Sequence, residues 1–528
     1  MKKIRLIFFV FLFADIQGNL FAQDKDLDYS LSKYYVKVTT GYGIGTNGPY
    51  QNFYNGRSPS LYSGKSGSGF YSGASIDYQY NTNLGAELGF GYEYGFKNDI
   101  PDFNVRFNGN MWQTVPALVF SSKAGIFRPY IRTGLIIGVP EVYINQSDYN
   151  QLLRLHGGMA SGMQGALGCS VPLRNKKWVV FTEASFNDIG FVPQQGTIVA
   201  ETFAGVNQMP YLAEIQKETV YKKSFNPGAN TNNQNQPYIA PEIKQPFNAF
   251  VINAGIRLNI GHMPVNAVDD YVSQHMLFRL NAGYGIATNG DLDYKTGTTT
   301  NAINVSYGTG LNYGAGVAYM FNQTIGFDLG ANYVSSPGIK AEDGGTLSTN
   351  LFNDYYNLKS AYGNMFQVNP SLVISTHIHK LLPYARLGMI LGSGNVYFNS
   401  ENPRAYLNGN YYDRQTTERF YGGLQTGYSA TVGAAFWLSY RYDLFVEACF
   451  NNVYDIPVKG QIIKDNYNNV SNLTNENISD KNFNFVPSYP FNLNQNPNVP
   501  TAQPQVDFSF NACVINIGIR MWFKRVNT

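Results

Sequence analysis

Ionised side chains are scarce in this sequence: of 528 residues only 14% are Asp, Glu, Lys or Arg, and 38 basic against 35 acidic residues leave a formal charge of +3. Such a balance offers no basic surface for nucleic acid, and polarity comes instead from Asn, Gln, Tyr and Gly. Cysteine is rarer still. Cys169, Cys449 and Cys513 are the whole complement, which excludes a disulfide-built scaffold and supplies no CxxC metal or redox pair. Also missing after residue 22 is any apolar run of about eighteen residues or more, so no helix is long and oily enough to span a bilayer. A chain of this kind crosses a membrane only with strands closed into a barrel, which pairs every backbone N–H and C=O with a neighbour.

Aromatic residues and glycine are what the sequence has in quantity, with 40 Tyr, 36 Phe and 53 Gly. The start reads as an export signal. Lys2, Lys3 and Arg5 precede an apolar core from Leu6 to Ala14, and Ala22 before Gln23 is the expected cleavage point. Without residues 1–22 the chain is nearly neutral.

The remainder says most things twice. VKVTTGYGIGTNG (36–48) is answered by FRLNAGYGIATNG (278–290), and YSGASIDYQYNTNLGAELGFGYEY (71–94) by YGAGVAYMFNQTIGFDLGANYVSS (313–336). VPALVFSSKAGIFRPYIRTGLIIG (115–138) matches NPSLVISTHIHKLLPYARLGMILG (369–392), FTEASFND (181–188) matches FVEACFNN (445–452), and FNAFVINAGIRLNIG (247–261) matches FNACVINIGIRMWFK (510–524). Order is kept throughout, which indicates duplication of a unit of roughly 240 residues, far longer than a solenoid repeat.

Period-two alternation places eight strands in each unit, beginning near 34, 69, 84, 112, 127, 158, 177 and 247, then near 276, 310, 324, 366, 382, 425, 442 and 510. Connections after even strands are short, such as Asn81 to Asn83 and Arg174 to Lys176. Those after odd strands are long, reaching more than fifty residues at 189–246 and 453–509. An up-and-down membrane barrel produces that asymmetry, with short turns toward the periplasm and long loops outside.

The alternation also sorts the faces. Leu84, Ala86, Leu88, Phe90, Tyr92 and Tyr94 are expected toward lipid, as are Ile325, Phe327 and Leu329, Ile131, Leu135 and Ile137, and Ala385, Leu387 and Met389. Inward positions carry charges of both signs at matched places: Glu87, Arg132, Glu183 and Arg257 in the first unit, Asp328, Arg386, Glu447 and Arg520 in the second. A narrow barrel fills its lumen with side chains, and these eight are expected to neutralise one another in a structural network. Gly41, Gly43 and Gly45, echoed by Gly283 and Gly285, are expected to clear room for the arginines. GYGIG is no phosphate cradle, for it lacks the Walker lysine and a following helix. Tyr42, Tyr78, Tyr80, Tyr92, Tyr94, Tyr284, Tyr319 and Phe321 lie near strand ends, where an interfacial girdle belongs.

The VTTGYGIGT strand, ASIDYQYNTNLGAELGFGYEYG, PALVFSSKAGIFRPYIRTGLIIG and the closing FVINAGIRLNI resemble the outer-membrane β-barrel domain common in Bacteroidetes, similar in build to OmpA-like and OmpX-like eight-stranded barrels. The resemblance covers almost the whole mature chain, twice, and implies that each half closes alone. It implies no catalytic residue, only lumenal positions at Arg132, Glu183, Arg386 and Glu447. The end departs from the pattern, because KRVNT follows Phe523 where such proteins finish on an aromatic residue.

The expected protein is therefore all-β: an antiparallel, up-and-down transmembrane β-barrel with a signal peptide at 1–22, a first eight-stranded unit at 23–262, a periplasmic linker at 263–275 and a second unit at 276–528. One sixteen-stranded, porin-like barrel for passive transport of small solutes is the alternative. Localisation is expected in the outer membrane of a Gram-negative cell. Expected partners are outer-membrane lipid and lipopolysaccharide, the barrel assembly machinery during biogenesis, and a surface protein or glycan at the long loops. No cofactor, metal or nucleic acid is expected. No enzymatic site is expected either, since His156, His262, His275, His377 and His379 have no histidine counterparts in the other repeat and no triad spacing.

Overall fold

The computed structural model describes residues 33–523, leaving aside 47–49, 55–58, 64–65, 101–104, 123–126, 147–149, 174–176, 226–233, 261–274, 289–290, 297–299, 341–345, 349–357, 379, 408–409, 440 and 487–495. The expected signal at 1–22, nearly all of the 263–275 linker, the Arg174 to Lys176 turn, His262, His379 and the KRVNT end lie outside the described residues.

Eight wall strands form the first unit: β1 (Tyr34–Gly45), β2 (Gly69–Gln79), β3 (Leu84–Gly95), β4 (Val105–Ser121), β5 (Arg128–Gln146), β6 (Ala160–Pro172), β7 (Trp178–Phe191) and β8 (Ala249–Ile260). Each pairs antiparallel with the next, and β8 returns to β1 in unbroken register from Tyr34 opposite Ile260 to Gly45 opposite Ala249. The second unit repeats this with β9 (Met276–Ala287), β10 (Gly310–Met320), β11 (Ile325–Ser335), β12 (Leu358–Ser375), β13 (Leu381–Leu407), β14 (Gln425–Trp437), β15 (Tyr442–Asp455) and β16 (Ala512–Phe523). It closes by pairing β9 with β16, from Met276 opposite Phe523 to Ala287 opposite Ala512. The protein is thus two closed eight-stranded barrels. A sixteen-stranded barrel would need β8 beside β9 and β1 beside β16, so the closures overturn that alternative.

Local chemistry fixes the short ends. Asn81 accepts hydrogen bonds on its side-chain oxygen from the backbone N–H groups of Asn83 and Leu84, and Asn322 does the same for Thr324 and Ile325. This Asx turn reverses the chain in a few residues at the same place in both barrels. Along the walls, outward apolar side chains such as Val38, Ile76, Phe90, Leu280, Val317 and Ile517 are exposed. Aromatic residues stand toward the two strand ends: Tyr34, Tyr78 and Tyr80 at one, Tyr42, Phe70 and Tyr94 at the other.

Not all of the outward face is exposed. Leu84, Phe120 and Ile131 of the first barrel share one apolar cluster with Ile325, Leu372, Ile374, Ala385, Leu387, Ala430 and Val432 of the second. The expectation that Leu84, Ile131, Ile325, Ala385 and Leu387 meet lipid is corrected here, because each is covered by the neighbouring barrel. Above this cluster Phe186 stacks on Tyr428 with ring centroids 4.6 Å apart, and below it the Ser122 and Thr324 hydroxyls are hydrogen-bonded.

Candidate functional site

Each lumen is built in two tiers. The lower tier is ionic. In the first barrel Arg132 spans two carboxylates: its Nε and Nη2 donate to Glu183 at 3.1 and 2.5 Å, and its Nη1 lies 3.6 Å from Glu87. Lys37 donates to the other side of Glu87 at 2.7 Å, and the Tyr130 hydroxyl to Glu183 at 3.2 Å. In the second barrel Arg386 joins Glu447 at 2.6 Å and Asp328 at 3.3 Å, while Arg279 grips Asp328 through two bonds of 3.0 and 2.9 Å. Tyr384 and Asn516 complete Glu447 at 2.7 and 3.1 Å. Carboxylates and guanidinium groups are buried together, so each charge is offset by a partner in a medium of low polarity.

Six of the eight residues read from the sequence meet in these two networks. The other two arginines stand apart. Arg257 lies 4.2 Å from the Tyr35 ring centroid, beside Asp77, and Arg520 donates to Asp443 at 3.0 Å. Arg257 and Arg520 therefore border the networks beside a further acid, contributed by β2 in one barrel and by β15 in the other. Lys37 and Arg279 were missed, although they occupy the same position in VKVTT and FRLNA. The space left among Lys37, Asp77, Glu87, Arg128, Tyr130 and Arg257 is about 30 Å³, room for a water molecule or two and not for a solute.

The upper tier is largely apolar, with Glu93 of β3 and Asp455 of β15 fully buried beside it. Met111, Ile136, Ile189 and Phe247 fill the outer half of the first lumen, and Met365, Ile390, Val453 and Phe510 fill the second. Phe247 lies across Gly109, whose missing Cβ leaves the ring its place. These inward apolar residues follow the same alternation as the charged ones and simply lie nearer the outer rim.

Above the rims the long connections are folded. Val142–Gln146 of β5 pairs with Gln151–His156, which pairs with Gln195–Phe203, then Glu218–Lys222, then in parallel with Tyr238–Pro241. The second barrel builds the same crown: the upper half of β13 with Asn410–Tyr421, Lys459–Tyr467, Asn482–Val486 and, in parallel, Thr501–Pro504. A short helix precedes the parallel pair in both, Glu214–Lys217 and Ile478–Lys481. Both crowns also carry a two-residue hairpin tip with positive φ at its two central residues, Ala204 and Gly205 in one, Asn468 and Asn469 in the other, the turn whose twist suits paired strands. Reading 189–246 and 453–509 as long outside loops understates them: their described residues form a duplicated folded element.

Among the described residues the four most exposed large apolar side chains are Tyr211 at 77%, Phe203 at 75% and Val470 at 70% in the crowns, and Leu424 at 71% just before β14. Beneath the tip of the second crown Arg414 holds Asp465 at 2.8 Å, with Glu476 at 3.8 Å. Burial pushes the Glu476 carboxyl up to about 7, helped by its hydrogen bond with Asp465, and burial alone lifts Glu418 to about 7 against the pull of Arg414. His156 bonds the Thr197 hydroxyl at 2.9 Å and His275 the Met320 carbonyl at 2.8 Å. Among the described residues no group of three or more His, Cys, Asp or Glu is placed to hold a metal ion.

No protein-family model and no curated protein matches the chain. Among solved structures it is similar to a FadL homologue of Pseudomonas aeruginosa, at 9% identity over 93% of this chain and 90% of that one with a TM-score of 0.19. It is likewise similar to the translocator domain of autotransporter NalP from Neisseria meningitidis, at 9% identity over 97% of each chain and a TM-score of 0.19. A third is the outer membrane protease OmpT from Escherichia coli, at 7% identity over 94% and 99% of the two chains with a TM-score of 0.16. Overlaps this loose leave the fold to rest on the strand pairing itself: two complete barrels, each closed by its own first and last strands.

Proposed function

We propose that the chain is a twin-barrel protein of a Gram-negative outer membrane that acts through its crowns, as a structural or surface-recognition protein. The observation that carries this reading is the filling of both lumens, by ion-pair networks below and by mainly apolar side chains above. A wall whose interior is occupied serves as an anchor, and what it displays outside is the duplicated crown. Apolar outward faces on strands of eleven or twelve residues, such as β1, β3, β10 and β11, suit a tilted crossing of a bilayer. Lipid and lipopolysaccharide are the surroundings this implies, with the barrel assembly machinery acting during biogenesis.

The partner at the crowns is proposed as a surface protein or glycan that docks against exposed Phe203 and Tyr211, whose rings offer apolar area and, on Tyr211, a hydroxyl for hydrogen bonding. On this reading the chain has no catalytic site of its own, which a hydrolase screen on folded protein checks. Planar-bilayer recording tests the central claim. The purified protein is expected to give no stable conductance of porin size, and a lasting open channel would reject the anchor reading. Deleting the crown segments 192–246 and 456–509 is expected to abolish capture of surface partners while leaving heat-modifiable migration on gels; unchanged capture would remove the recognition role.

A further inference from the structure

The cluster between the barrels has a symmetry that the connection of the two units does not require. Leu84, Phe120 and Ile131 form a ladder across β3, β4 and β5, with Leu84 opposite Phe120 and Phe120 opposite Ile131. Ile325, Ile374 and Ala385 form the same ladder across β11, β12 and β13. All six are in the one inter-barrel cluster. Equivalent faces thus meet each other, as in a twofold dimer, whereas side-by-side repetition would press one face against a different one.

The two faces carry different side chains along the ladder, and at one spot the difference is a matter of fit. Gly165 on β6 sits opposite Thr133, and the equivalent Ala430 on β14 sits opposite Leu387. A Cβ added at Gly165 would lie 2.6 Å from a Leu387 methyl and 2.7 Å from the Ala430 Cβ. Leu387 and Ala430 therefore form a knob, and Gly165 the hole that receives it. Two second barrels would set Ala430 where the hole must be, and two first barrels would leave the hole unfilled. In a bilayer, where apolar surface alone does not drive association, close approach at small residues is what holds walls together.

From this geometry we infer that each barrel carries a docking face specific for the other barrel, descended from a self-pairing single barrel, and that the face holds the two together without the covalent connection. The inference rests on the membrane-barrel reading, and the experiment separates the two. A protease site is placed within 263–274 of the full chain, the protein is folded and purified in detergent, cut, and the halves are followed by size exclusion and by unheated gels. The cut halves are expected to co-elute, and mixing with separately tagged copies is expected to give first-with-second pairs only. Gly165→Leu overpacks the hole and is expected to weaken pairing by about tenfold or more, with each half still heat-modifiable. Ala430→Leu does the same from the other side. At the crowns the backbone of Ser224 and Phe225 pairs with Asn301 and Thr300. Replacing Ser224 and Phe225 by prolines, which removes their backbone donors, is expected to leave the halves paired, which places the affinity in the wall. Separation of the uncut-sequence halves after cleavage, pairing of either half with its own copies, or retained pairing in both leucine variants would overturn the proposal. Loss of heat-modifiable migration in the parent protein would instead strike the barrel reading.

Discussion

Arg132 and Arg386 answer the same problem, a carboxylate on the third strand and another on the seventh that are both buried from water. In each barrel one guanidinium bridges the two acids, and a second cation from the first strand, Lys37 or Arg279, completes the neutralisation. Removing one member leaves a buried charge uncompensated, at a cost of about 3–5 kcal/mol. Glu183→Leu is therefore expected to lower the heat-modification midpoint of the first barrel sharply, and adding Arg132→Leu to restore part of it, because the orphaned guanidinium is then gone. Additive losses in that double-mutant cycle would show that the pair is not coupled. The acids and arginines were legible from alternation and from their recurrence. Which acid each arginine meets was not, because it depends on how far along the barrel axis each side chain sits. The glycines are a similar case. Gly316 and Gly330 do clear room for an arginine, Arg279, whereas Gly41 and Gly283 face Asn253 and Asn516, and Gly43 faces Tyr71. Alternation shows that a position is inward without naming the neighbour that fills it.

Strands are where the sequence was most readable. All sixteen wall strands lie where period-two alternation puts them, with the largest differences where β4, β5, β12 and β13 run on beyond the rim into the crowns. That excess was hidden because a strand running on past the barrel wall loses its apolar outward face, and with it the alternating signal. Crown strands are short and half-exposed, so composition reads them as loop. Their chemistry gives the second crown a pH dependence. Glu418 and Glu476 hold protons in the folded crown up to about pH 7, above the ordinary carboxyl value of 4.5, chiefly through burial. Arg414 opposes both shifts, while Asp465 and Asp480 reinforce that of Glu476. The folded state thus binds more protons than the unfolded one between those values, and stability falls as pH rises through that window. Limited proteolysis of the second crown is expected to be slow at about pH 5.5 and faster at about pH 8, with the step flattened by Glu418→Gln together with Glu476→Gln. A profile in the parent protein that is flat, or that runs the other way, would remove these two carboxyls as its cause.

At the scale of the molecule the decisive fact is that each sheet closes on itself, so the backbone hydrogen bonds of one wall contain no strand of the other. Alternation alone left that choice open, since an outward apolar residue looks the same whether lipid or a second barrel covers it. Closure has a thermodynamic consequence. A single sixteen-stranded wall would open as one cooperative unit, because losing any strand breaks the ring. Two eight-stranded rings joined by an apolar contact face and a short backbone pairing at the crowns form two cooperative units with a modest coupling between them, as separate domains generally do. Heating the chain carrying a cleavable 263–274 segment, and cutting it after each step before an unheated gel, would resolve the two barrels individually. Glu183→Leu is expected to shift the transition of the first barrel alone, and Glu447→Leu that of the second alone, because each carboxylate neutralises cations of its own lumen only. If either substitution moved both transitions by the same amount, the two rings would be melting as one structure, and the independence implied by their separate closures would be lost.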